Sequence, residues 1–210
     1  MRRGPSCRRG DRSLVMACRL GVLLAGGGLI ALVLDSRQSH VSQSHNTNGG
    51  RMNKQTLAAT ALAVSAAAGA GSIASRTEVP AWYVRLRKPS YVPPSQVFPV
   101  AWTSLYTDIA ATSAVAIDRL RATGQHDKAR HYITALAINL LLNAGWSWLF
   151  FKYHKLGASA LGAAALTVSS ADLARRTAQA EPRAGLALLP YPIWCSFATV
   201  MSADIWRLNR

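Results

Sequence analysis

The sequence predicts an all-α fold: a polytopic membrane protein built as a bundle of five transmembrane helices. Three observations carry this. Half of the 210 residues are hydrophobic and only 16% are charged, against about 25% charged in an ordinary soluble domain. Five stretches reach the ~20 apolar residues that a helix needs to cross ~30 Å of hydrocarbon. The period-two alternation of a barrel strand is absent.

The five stretches are Leu57–Ser75, Val97–Asp118, His131–Phe151, Leu156–Leu173 and Leu186–Trp206. Each ends at Pro, Gly or a cluster of charges, the usual punctuation of a helix terminus. "SRTEVP", "RATGQHDK", "KYHK" and "RRTAQAEPR" are then the connections. Residues 52–210 form the transmembrane domain on this reading. Residues 1–51 precede it: a basic start, "MRRGPSCRRGDR", the apolar run "SLVMACRLGVLLAGGGLIALVL" interrupted by Arg19, and a polar linker. That layout fits a signal anchor, a dispensable leader from an over-extended start, a targeting sequence, or a sixth helix. All three later motifs lie beyond Met52, so the leader is expected to be dispensable for insertion and binding.

Charge is lopsided, with 24 Lys and Arg against 9 Asp and Glu and a net +15. A charge of that size suits nucleic acid. Here the cations sit in short runs between apolar stretches, which is the pattern of a multi-pass membrane protein with basic loops, not of a continuous nucleic-acid face. After Met52, eight cations fall on each side of the membrane, so the positive-inside count gives no orientation. Cys7, Cys18 and Cys195 have no metal-site spacing, and the five histidines fall in loops or at span edges. No phosphate loop, dinucleotide fingerprint, zinc-protease or nucleophile-elbow motif is present. No metal and no cofactor is expected.

Polar and aromatic stripes select candidate site residues. Asn139, Asn143, Trp146 and Phe150 share one face of the third span at i, i+4, i+7 and i+11. Amides in hydrocarbon need partners, so this face points into the bundle. Trp102 and Tyr106 share a face of the second span. Trp194, Ala198, Met201, Ser202 and Ile205 form a stripe on the fifth. Aromatic walls with a few polar groups suit a flat apolar ligand; packing alone accounts for the same stripes equally well. Trp148, Trp206 and Tyr132 fall off the stripes or at edges and read as interhelical packing contacts or interface-belt anchors. Asp204 has Arg207 three residues on, a helical pair. Asp108 lies near mid-span, where a charge marks a candidate functional site; it is off the Trp102/Tyr106 face and its role stays open. Ala67-xxx-Gly71 and Ala158-xxx-Gly162 are small-residue faces of the kind on which membrane helices associate, and a homodimer is expected through them.

The motifs resemble one family. "WYVRLRKPSYVPPSQVFPVAWTSLY", "LAINLLLNAGWSWLFF" and "LLPYPIWCSFATVMSADIWRLN" are similar to the signatures of the tryptophan-rich sensory proteins, also called the translocator protein or peripheral benzodiazepine receptor family. The resemblance runs from about Met52 to the C-terminus. It implies a commonly dimeric five-helix bundle in a bacterial or organellar membrane, with a cavity closed by the loop between the first two spans. The stiff segment from Trp82 to Val97, held in shape by Pro89, Pro93 and Pro94, would be that lid. Tetrapyrroles, sterols and benzodiazepine-type compounds are the ligand classes implied. The pocket carried over is Pro93, Trp102, Tyr106, Asn139, Asn143, Trp146, Phe150, Trp194, Ala198 and Ser202. Arg85, Arg87 and Lys88 on the lid would meet porphyrin propionates. Where the family places a second lid tryptophan this chain has Tyr91. Asp204 stands where the proposed sterol-contacting segment needs a Tyr, which puts tetrapyrroles ahead of sterols. The functions left open are a tetrapyrrole-binding sensor or transporter, an enzyme degrading porphyrin in light through Trp102 and Trp194, and a structural membrane partner without a ligand.

Overall fold

A computed structural model describes residues 53–75 and 79–210; the leader reading, including Cys7, Cys18, His40 and His45, falls outside the described residues. All regular structure among the described residues is helical. The long helices are α1 (Lys54–Ser75), α3 (Val97–Ala122), α4 (His126–Ser147), α5 (Leu156–Ala180) and α7 (Pro190–Leu208), with short α2 (Val79–Arg85) and α6 (Pro182–Ala187) between them. A π-turn, Trp148–Lys152, extends α4. α1, α4 with its π-turn, α5, and α6 with α7 are each long and apolar enough to cross a membrane. α3 is of similar length, 26 residues, but Ser104, Thr107, Asp108, Thr112 and Ser113 dilute its apolar content.

The helices outrun the apolar stretches that predict them, because a span is limited by hydrocarbon whereas hydrogen bonding continues into the polar ends. α4 starts at His126 and not at His131; α5 continues through Arg175 and Arg176 to Ala180. The connections are correspondingly tighter than the sequence suggests. One is a turn centred on Gly124, whose φ of +72° favours glycine. Another is a break at Glu181, with Pro182 opening α6. There a Cβ on Gly185 would sit 2.4 Å from the Ala178 backbone, so only glycine lets α6 fold back against α5. The predicted lid loop begins as helix: α2 covers Trp82 and Tyr83 and ends at Arg85, before a bend at Leu86.

α1 packs on α3 and α4, α5 on α4 and α7, and α7 closes against α3. α4 and α7 run parallel: Tyr191 meets Asn139, while Met201 and Ile205 share a cluster with Trp146 and Phe150. Two of the three off-stripe aromatics are interhelical packing contacts. Tyr132 is fully buried and joins α4 to Ser113 of α3 and Thr177 of α5. The Trp148 indole donates to the Ala70 carbonyl at 3.0 Å, tying α4 to α1. Trp206 remains 41% exposed, as an interface anchor would.

Candidate functional site

Inside the bundle, α3, α4, α5 and α7 meet in a chain of hydrogen bonds. Tyr106 donates to Asn143 Oδ1 at 2.8 Å, and Asn143 Nδ2 points to the Tyr191 hydroxyl at 3.4 Å. The Tyr191 hydroxyl donates to Asn139 Oδ1 at 2.8 Å, and Asn139 Nδ2 donates to Ser169 at 3.1 Å. Both amides are buried, and their hydrogen-bonding atoms are used within the protein. This is what an amide in a hydrocarbon slab requires. Tyr191 is the hub, and the stripe reading missed it. The buried face of α7 runs Tyr191, Cys195, Ala198, Ser202 and Ile205, whereas Trp194 beside it is half-buried. The signal was present: Tyr191 stands seven residues before Ala198 and eleven before Ser202.

Around this spine the aromatic candidates form two groups. Trp102 and Tyr106 lie with ring centroids 5.5 Å apart and pack, with Trp194, on the larger core. Trp146 stacks on Phe150 at 5.5 Å in the second cluster, which also takes in Ala163, Met201 and Ile205. Phe98 and Phe197 pack on that cluster and also touch Trp194, at 6.0 and 5.6 Å, so the two groups adjoin. Two of the candidates keep unpaired polar atoms: buried Trp146 Nε1 and Ser202 Oγ have no hydrogen-bond partner among the described residues.

The lid closes on this second cluster. Trp82 meets Phe150 edge-on at 5.7 Å, and Tyr83 meets it at 6.3 Å. Trp82 also stacks on His154 at 4.0 Å. His154 is held at φ +53° after the π-turn, a strained backbone for a non-glycine residue. Beyond the helix, the lid is latched to the end of α7. Asn209 accepts the Arg87 N–H at 2.9 Å and donates to the Arg87 carbonyl at 2.8 Å, pairing both main-chain groups with one amide. Tyr91 donates to Asp204 Oδ2 at 2.7 Å and packs its ring on Phe197. Partial burial, then the Asp204 carboxylate, push the Tyr91 phenol up to about 12. Asp204 therefore serves the latch as well as its Arg207 pair.

The three lid cations are not equivalent. Lys88 sits over the Tyr83 ring at 3.7 Å, a cation–π contact, and burial lowers its pKa and raises that of Tyr83. Arg85 and Arg87 are exposed. Pro93 is half-buried in the turn that leads to α3. On the outer surface, Leu141, Gly145, Trp146, Leu149 and Gly162 line an apolar groove of about 260 Å³ between α4 and α5. Gly71, by contrast, is used within the bundle, since a Cβ there would lie 3.0 Å from Ser147 Oγ.

Comparison with known proteins gives the same family as the motifs. The chain is 34% identical over 129 residues to Protein CrtK of Rhodobacter capsulatus, covering 61% of this chain and 79% of that one. It is 34% identical over 158 residues to the tryptophan-rich protein TspO of Archaeoglobus fulgidus, covering 75% and 99%. To the human translocator protein it is 32% identical over 131 residues, covering 61% and 75%. The TspO/MBR family pattern matches residues 58–207, a stretch that contains the hydrogen-bonded spine, both aromatic groups and the lid, and the chain belongs to the TspO/MBR family of membrane proteins.

Proposed function

We propose that this chain is an integral membrane receptor for flat, largely apolar molecules, tetrapyrroles first among them, with five spans including α3 and a site under the lid. α3 has 26 residues, about 39 Å at 1.5 Å per residue, enough to cross. The carrying observation is the aromatic cluster beneath a latched lid: Trp146, Phe150, Phe98 and Phe197 inside, Trp82 and Tyr83 above. A ring system entering there would exchange stacking on the lid aromatics for stacking on itself. Trp146 Nε1 and Ser202 Oγ offer hydrogen bonds that no described residue fills. Arg85 and Arg87, exposed at the lid margin, suit carboxylates at one rim of such a ligand. The groove between α4 and α5 is the surface on which a second copy would seat, with Gly145 and Gly162 allowing close approach.

The test is spectroscopic titration of the detergent-solubilised full chain with protoporphyrin, in the dark and under illumination. Saturable binding that survives in the dark supports the receptor. Absence of saturable binding overturns it and leaves a structural role. Bleaching that needs light and bound protein would make the protein a photochemical enzyme, with Trp102 and Trp194 as the residues to replace.

A further inference from the structure

Among the described histidines, His126 and His131 are exposed at the start of α4, whereas His154 is half-buried beneath the lid. Its neighbours Lys152, Tyr153 and Lys155 are all exposed. The φ of +53° at His154 is a strained conformation of the kind that gathers at ligand sites. Its Nε2 is buried with no hydrogen-bond partner among the described residues, although a buried polar atom ordinarily finds one. An unpaired imidazole nitrogen is a metal ligand by its chemistry. No cluster of metal-ligating side chains exists among the described residues, so a bare ion finds no site beside it. A metal already held by the nitrogens of a porphyrin needs only an axial ligand, and one imidazole supplies that.

The ring planes suit such a ligand. Trp82 lies 22° from the imidazole plane and 73° from Phe150, and Trp146 lies 21° from Phe150. The imidazole therefore stands steeply to the Phe150 and Trp146 rings. A flat ligand parallel to those rings, taking over the Trp82 contact with Phe150, would be crossed steeply by the imidazole. Axial ligation requires this, because the nitrogen lone pair lies in the imidazole plane and must run along the normal of the porphyrin. Arg85, one turn beyond Trp82 on α2, and Lys152 and Lys155 beside the histidine are exposed cations, suited to the carboxylates of the ring. We propose that His154 is an axial ligand and that the lid site prefers an iron porphyrin to the metal-free ring. This rests on the tetrapyrrole reading of that site and names the form of the ligand. Nε2, unprotonated while Nδ1 carries the proton, donates its lone pair to the iron. A weakly held water leaves the metal, and no electron is transferred.

The experiment titrates the full chain in detergent, purified without a histidine tag, with ferric protoporphyrin and with metal-free protoporphyrin. Wild type should bind the ferric form about tenfold more tightly, and its absorbance and electron paramagnetic resonance should show nitrogen ligation. His154→Gln should remove that signature and bring the two affinities together. His154→Gly, which suits the positive φ and leaves room for a free imidazole, should lose the signature and regain it when imidazole is added. A nitrogen signature that persists in His154→Gln overturns the assignment. So do equal affinities for the two dyes in wild type, or a loss in His154→Gln that both dyes share equally; each leaves the tetrapyrrole receptor standing. If neither dye binds, both readings fall.

Discussion

At Tyr191, one hydroxyl serves two amides in a place water does not reach. Tyr191→Phe keeps the ring and its packing but strands Asn139 Oδ1 and weakens the setting of Asn143. Leaving a buried polar group unpaired costs about 1–3 kcal/mol, so the thermal midpoint in detergent should fall by several degrees. A midpoint within a degree of wild type would show the spine to be replaceable. Tyr91 makes the opposite kind of prediction, about charge. Its phenol is held up to about 12 by partial burial and by Asp204, against an ordinary value near 10. A folded-state pKa raised in this way contributes stability that is complete below about 10 and lost as pH rises through about 12. The phenolate absorbance that disappears in Tyr91→Phe should therefore titrate near 12; a midpoint near 10 would show the Asp204 contact to be open in solution. Tyr191 was legible in principle, since it keeps helical register with Ala198 and Ser202. Asn209 was not, because its partner Arg87 lies 122 residues away.

Among the elements, the lid is the one whose state decides access. α2 is short, and its hold comes from Trp82 between Phe150 and His154, and from Asn209 on the Arg87 main chain. Asn209→Ala removes both main-chain bonds at a solvent-exposed site, where each is worth at most about 0.5–1.5 kcal/mol. Amide exchange over residues 86–92 should then quicken several-fold while that of α4 and α5 stays unchanged. Uniform quickening would mean that Asn209 supports α7 as a whole, through its bond to the Ile205 carbonyl. The helices themselves were readable because each alternates apolar stripes with charged ends. Their true ends were not, since Arg175 and Arg176 look like a loop but form an i,i+3 and i,i+4 pair on helix with Asp172.

Over the whole molecule, the predictions concern ligand and assembly. Trp194→Ala should weaken binding of both free-acid and esterified porphyrin by about tenfold, equivalent to ~1.4 kcal/mol. Neutralising Arg85, Arg87 and Lys88 together should weaken only the free acid. Equal loss for the ester would mean that the lid acts by shape, as the Lys88 contact with Tyr83 suggests for that one cation. Gly162→Leu places a side chain into the groove at Trp146 and Leu149. Mass in detergent should drop from dimer to monomer, and a dimer indifferent to this change would move the interface elsewhere.

The sequence by itself determined that the chain is helical, that it belongs in a membrane, and which family its three motifs mark. These follow from local composition and from helical spacing, both properties of neighbours along the chain. It also put Asn139 and Asn143 on the face that points inward, because an unpartnered amide is intolerable in hydrocarbon. Only the tertiary structure decided what those amides meet. It showed that Tyr132 and Trp148 tie helices together, and that the Asn209 and Tyr91 contacts latch the lid to the end of α7. Each of these depends on which helix lies beside which, and helical periodicity fixes a residue's direction around its own axis while leaving its neighbour across the gap undetermined.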